Sequence, residues 1–143
     1  MNFRIITSLF VSFWLSLVTC FFPSPALALT QLKVSNLSYQ SCPPELAEGA
    51  VSSYSSMKAN CFLINGTVKN TSGKPVIDAD VFGRVYDANN NPVMQNRSRL
   101  GSISEVPPGN SDFQIRISVP ENMPAPLRLE KFKASGFSAK VRR

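Results

Sequence analysis

The sequence predicts an all-β, antiparallel sandwich of six or seven short strands. Three observations point to it. Apolar residues recur with period two in several short runs, Pro, Gly, Asn and Asp separate those runs, and no stretch carries the period of an amphipathic helix. The chain has 143 residues, 7 Gly and 11 Pro, enough for one core and too short for a second domain of ordinary size.

The first stretch, residues 1–28, reads as an export signal. Arg4 supplies a positive start, Ile5 to Val18 an apolar run, and Ala26-Leu27-Ala28 the small residues of a cleavage site. The expected mature chain is therefore 29–143, a single β-sandwich domain. Two rival readings exist: an uncleaved anchor over Ile5 to Phe22, and a lipoprotein box Leu17-Val18-Thr19-Cys20 with Cys20 lipidated.

The first strand begins at Leu32-Lys33-Val34. Its apolar phase then moves to Leu37 and Tyr39, which predicts a bulge near Ser35-Asn36. Cys42-Pro43-Pro44 ends it, and one helical turn is expected at Glu45 to Glu48 within a Ser- and Ala-rich insertion, 42–61. Cys61 to Asn70 is the clearest strand, with Phe62, Ile64, Gly66 and Val68 on one face and Leu63, Asn65, Thr67 and Lys69 on the other. After the turn Asn70 to Pro75, Val76 to Tyr86 places Ile77, Ala79, Val81, Gly83 and Val85 inward and Asp78, Asp80, Phe82, Arg84 and Tyr86 outward. Asp87 to Pro92 turns the chain, and Val93-Met94 is expected to start a return strand whose continuation, Arg97 to Val106, is weakly patterned. Beyond Pro107-Pro108-Gly109, the run Asp112 to Val119 alternates cleanly with Phe113, Ile115, Ile117 and Val119 inward. Three prolines in Pro120 to Pro126 exclude a central strand. Leu127-Arg128-Leu129 opens the last strand, and Phe132 and Ala134 continue it after a phase slip.

Loss of the leader discards Cys20 and leaves Cys42 and Cys61. Outside the cytoplasm, two cysteines flanking a polar segment are most simply a disulfide, worth about 3 kcal/mol in the chain-entropy model. A metal-binding or reactive pair lacks His, a third Cys and a C-x-x-C spacing.

Gly66-Thr67-Val68-Lys69-Asn70, Val85-Tyr86-Asp87 before an Asn-rich turn and Pro92-Val93, and Pro108-Gly109 followed by Phe113 together resemble the FxLYD-type extracytoplasmic β-sandwich domains over about residues 61–119. Gly83 stands where the motif has Phe, Val85 replaces Leu, and Phe82 is one position off. The resemblance implies an Ig-like fold with a binding or scaffolding role, and it carries over no catalytic residue.

The chain has no His, which removes the usual general base at neutral pH and the commonest transition-metal ligand. Ser-His and Cys-His pairs are impossible, and no S-x-x-K motif or nucleophile elbow marks a Ser-Lys site. No enzyme activity, cofactor or metal is therefore expected. Asp78 and Asp80 share a strand face, a spacing open to acid/base or calcium chemistry, but Lys74 and Arg84 beside them make an ordinary solvated charged face the simpler reading. Asp87-x-Asn89-x-Asn91 mimics the start of a calcium loop, yet Ser98 occupies the position where Glu is required. Asn36, Asn65, Asn70 and Asn96 each open an N-glycosylation tripeptide, relevant only on a eukaryotic secretory route.

Charge is the most informative clue. Against a formal net charge of +6 for the whole chain, Arg128, Lys131, Lys133, Lys140, Arg142 and Arg143 face only Glu130 in the last sixteen residues and supply the entire positive excess of 29–143. Such a cluster docks an acidic protein face or anionic lipid headgroups, or else blocks pairing at a sheet edge. With the outward Phe82, Arg84 and Tyr86 it defines the expected interaction surface. Nucleic acid is excluded as a partner by export and by the lack of a stacking platform. The expected function is a non-enzymatic exported module that docks envelope or lumenal proteins. The alternative is a peripheral membrane-surface protein held by its basic C-terminus or by lipidated Cys20. Periplasm, thylakoid lumen and secretion to the medium all fit.

Overall fold

The computed structural model describes residues 29–52, 56–94 and 99–138. The leader with Cys20, the Asn96 to Ser98 stretch, and Lys140, Arg142 and Arg143 lie outside them. Six antiparallel strands form the molecule: β1 (Leu29–Ser41), β2 (Ala59–Asn70), β3 (Val76–Tyr86), β4 (Arg99–Val106), β5 (Gly109–Pro120) and β6 (Arg128–Phe137), with one helical turn, α1 (Pro44–Ala47). Their order is β4-β3-β6-β1-β2-β5, and the sheet folds on itself into a nearly closed, barrel-like sandwich. β1 joins the two halves: Leu29 to Leu32 pair with β6, whereas Lys33 to Ser41 pair with β2. β4 faces β5 across the core without a ladder, Gly101 lying against the Ile115 side chain.

Period-two patterning determines the core. Ile64, Val68, Ala79, Val81, Val85 and the predicted β5 set Phe113, Ile115, Ile117 and Val119 are all buried in one cluster, each large side chain worth about 1.5 to 3 kcal/mol of apolar burial. The β1 bulge falls where the phase change predicts it: the register with β2 shifts between Ser35 and Ser38, and Asn36 takes φ 53°. The slip in β6 is a bulge at Lys131, φ 54°, which resets the register with β3 between Phe82 and Arg84.

Three expectations are corrected. Ile77 is not an inward residue of β3; Val76 is fully buried instead, because Asp78 adopts φ 49° and shifts the register with β6 between Ile77 and Asp80. Leu63, on the outward face of β2, is only 5% exposed. Leu63, Cys61 and Ala50 are all buried outside the main core cluster, where the disulfide-framed segment returns to β2, with α1 against that strand and the Ala50 carbonyl accepting from the Ala59 N–H at 3.1 Å. Val93 and Met94 form a bend after the Asp87 turn rather than a strand, the Val93 N–H donating to the Val85 carbonyl at 2.9 Å. β6 lies between β3 and β1, but its ladder with β1 covers only Ala134 to Phe137, so Arg128, Lys131 and Lys133 stand on a stretch paired with β3 alone.

The Cys42–Cys61 disulfide is present, with Cα atoms 5.3 Å apart. It fastens the end of β1 to the start of β2, and the Cys42 N–H donates to the Cys61 carbonyl at 3.0 Å. Such a bond is compatible with a location outside the cytoplasm.

Candidate functional site

The outer face of the β3–β6 pair collects most of the residues singled out by charge and alternation. Phe82 stands opposite Lys133, Arg84 opposite Glu130, and Tyr86 opposite Arg128. The Arg128 guanidinium lies 5.1 Å from the Tyr86 ring centroid and the Lys133 ammonium 6.0 Å from that of Phe82. Cation–π contacts at exposed positions contribute about 0.5 to 1 kcal/mol each. They hold long basic side chains across the strands with less freedom than they would have in water.

Two carboxylates on this surface are engaged. Asp80 pairs with Arg99 at 2.7 Å, and Glu130 accepts from the Arg128 Nε at 2.7 Å. All four partners are well exposed, so each pair adds at most about 1 kcal/mol, but each neutralises a charge. Arg128 also donates to the Asn90 side-chain oxygen. Among the described residues Arg84, Lys131 and Lys133 make no ion pair, which leaves a surface with two rings at its centre and a net positive charge. The bulge at Lys131 sets Lys131 and Phe132 together opposite Gly83, so that Glu130 and Lys133, three residues apart, both stand opposite outward residues of β3. How Lys140, Arg142 and Arg143 extend it lies outside the described residues.

Asp80 is paired with Arg99 rather than with Asp78, and Asp78 takes φ 49° at the register shift of β3, so the two carboxylates are not drawn together for acid/base or metal chemistry. The Asp87 carboxylate accepts from the Asn89 N–H at 3.0 Å, the Asn91 N–H at 2.7 Å and the Asn91 side-chain amide at 3.0 Å. Burial opposes its ionisation, but these donors outweigh burial and hold the carboxyl below its usual range. Asp87 is thus a turn organiser. Among the described residues no three His, Cys, Asp or Glu side chains gather where they could hold a metal ion.

A second polar surface escapes a reading by alternation alone. Asn36, Asn65, Gly66, Thr67, Asp112, Phe113 and Gln114 line a shallow depression of about 490 Å³ across β1, β2 and β5. Inside it the Thr67 hydroxyl donates to Asp112 at 3.0 Å and the Gln114 amide to Asn65 at 2.8 Å. The strand phases show which residues face out; they do not show that β2 lies between β1 and β5, which is what brings these side chains together. Asn65 and Asn70, both in N-glycosylation tripeptides, are engaged within the fold. The Asn70 amide donates to the Lys74 and Val106 carbonyls at 2.8 and 2.9 Å.

Comparison with protein-family models, with curated proteins and with solved structures gave no match.

Proposed function

We propose that this protein is a non-enzymatic, exported docking module that binds an extracytoplasmic protein through an acidic face, using the outer β3–β6 surface. The observation that carries the reading is the convergence of Phe82, Arg84, Tyr86, Arg128 and Lys133 on one sheet face, with Arg84, Lys131 and Lys133 unneutralised among the described residues. Half-buried rings flanked by unneutralised cations supply apolar contact together with electrostatic steering. The likeness of residues 61–119 to FxLYD-type domains, the leader-like first 28 residues and the disulfide support the exported setting. Periplasm, thylakoid lumen and the extracellular medium satisfy it equally.

The test is capture of partners from native membranes with the tagged protein, wild type against an Arg84→Glu/Lys133→Glu double variant. Recovery of the same acidic protein should fall about tenfold or more in the variant, and high salt should reproduce that loss with the wild type. Equal recovery by both would overturn the proposal. Binding to anionic vesicles that vanishes in a Lys140→Ala/Arg142→Ala/Arg143→Ala variant, with no protein captured, would replace it with a membrane-surface role.

A further inference from the structure

β5 is an unusual edge strand. It pairs with β2 along all twelve of its residues without a register shift, and its other side carries no ladder. Among the described residues, no turn, loop or cap hydrogen bond between backbone groups involves 109–119, and β4 comes near β5 without a ladder. Long edges of this kind invite pairing, and proteins usually blunt them with bulges, prolines or short length. The opposite end of the sheet follows that practice: β4 has eight residues and a register shift. β5 has no proline before Pro120 and no bulge.

From this contrast and the charges along the strand we infer that the free edge of β5 pairs antiparallel with β5 of a second copy of this chain, making a two-fold dimer centred on Gln114. The inference is independent of the proposed docking role, which uses the other half of the sheet. A two-fold axis perpendicular to the sheet sets one residue of β5 opposite itself, and opposed residues share a face, so the possible registers are few. Centred on Asp112 or Arg116, like charges meet on the axis. Centred on Phe113 or Ile115, Asp112 faces Gln114 or Ser118 and no charge pair forms. Centred on Gln114, Asp112 of each copy lies opposite Arg116 of the other, twice, and Phe113 lies opposite Ile115 on the inner face. Asp112, Gln114 and Arg116 are all exposed, and Arg116 makes no ion pair among the described residues. One register alone therefore pairs every charge on the strand favourably, and opposite-charge pairs directly across an antiparallel ladder stabilise it while like charges oppose it.

Sedimentation of the purified full-length protein over a concentration series should show a monomer–dimer equilibrium. Asp112→Arg and Arg116→Asp, each alone, place like charges at both contacts and should weaken the dimer about tenfold or more. An equimolar mixture of the two variants should recover dimer, because every opposed pair is then of opposite sign. A wild type that stays monomeric, or a mixture that associates no better than either variant, overturns the inference. Should a charge reversal unfold the chain, Gln114→Cys decides instead. Under mild oxidation it should cross-link two copies, whereas Asn110→Cys, opposite Ser118, should not. Equal cross-linking of the two, or none with Gln114→Cys, overturns the inference.

Discussion

Asp87 and Asn70 show how single buried polar side chains hold this fold at its turns. Asp87 is 3% exposed, and its folded carboxyl titrates below the usual range because three donors from Asn89 and Asn91 bind the charged form. A lowered folded value means that the ionised group stabilises the protein above the unfolded value of about 3.9, and that this contribution disappears as pH falls through the folded value. Asp87→Asn should accordingly melt below the wild type at neutral pH, with the gap closing under acid conditions. Thermal melts from pH 7 down to pH 3 check this, and a gap that stays constant would contradict the assignment. Asn70 is 2% exposed and links the end of β2 to the following turn and to the end of β4. Its oxygen accepts from the Ser72 N–H at 3.0 Å and from the Ser72 hydroxyl at 2.7 Å. Asn70→Ala deprives the buried Val106 carbonyl of its side-chain donor and should cost about 2 to 3 kcal/mol, read from urea midpoints at unchanged m-value.

Within the strands, shape matters as much as polarity. A Cβ on Gly83 would lie 2.6 to 2.8 Å from three atoms of the Phe132 ring, so β6 supplies across the ladder the aromatic ring that β3 lacks at this point. Gly83→Ala should destabilise by about 1 to 3 kcal/mol through overpacking. Adding Phe132→Leu should recover part of that loss, because the smaller side chain can move aside; strictly additive losses in chemical denaturation would show that the ring is not the obstacle. At Gly136 the neighbours include the Ala79 Cα and the Ile77 carbonyl oxygen, both 2.8 Å from the added atom. Backbone cannot rotate away, so β6 must keep Gly there to lie close to β3. The αL residues Asp78 and Lys131 occur in these same two strands, and each resets which side chains face the core.

For the molecule as a whole, β1 and the disulfide are the organising features. β1 is hydrogen-bonded to β6 through its first residues and to β2 through the rest, so the two halves of the sheet meet in one continuous strand. The Cys42–Cys61 bridge, 19 residues apart in sequence, anchors the segment that covers Leu63. The Cys42→Ala/Cys61→Ala variant should lose about 3 kcal/mol of stability, and Leu63→Ala should cost less in that background than in the wild type, since the cover over it is no longer pinned. A double-mutant cycle by chemical denaturation measures the difference, and independent, additive losses would separate the bridge from the cover.

Alternation, turn residues and cysteine count were sufficient to read from the sequence the all-β class, the β5 core face, the bulge in β1, the slip in β6 and the cysteine pair, because each depends on residues close together in the chain or on a count. The tertiary structure alone decided that β6 lies beside β3, bringing Lys133 over Phe82 and Arg128 over Tyr86. It also decided that Val76 replaces Ile77 in the core, that Leu63 is covered, and that β5 is left at an open edge. The physical reason is that a strand's period tells which side chains share a face, whereas the neighbour it pairs with, and the bulge needed to match that neighbour's register, are settled by packing among residues far apart in sequence.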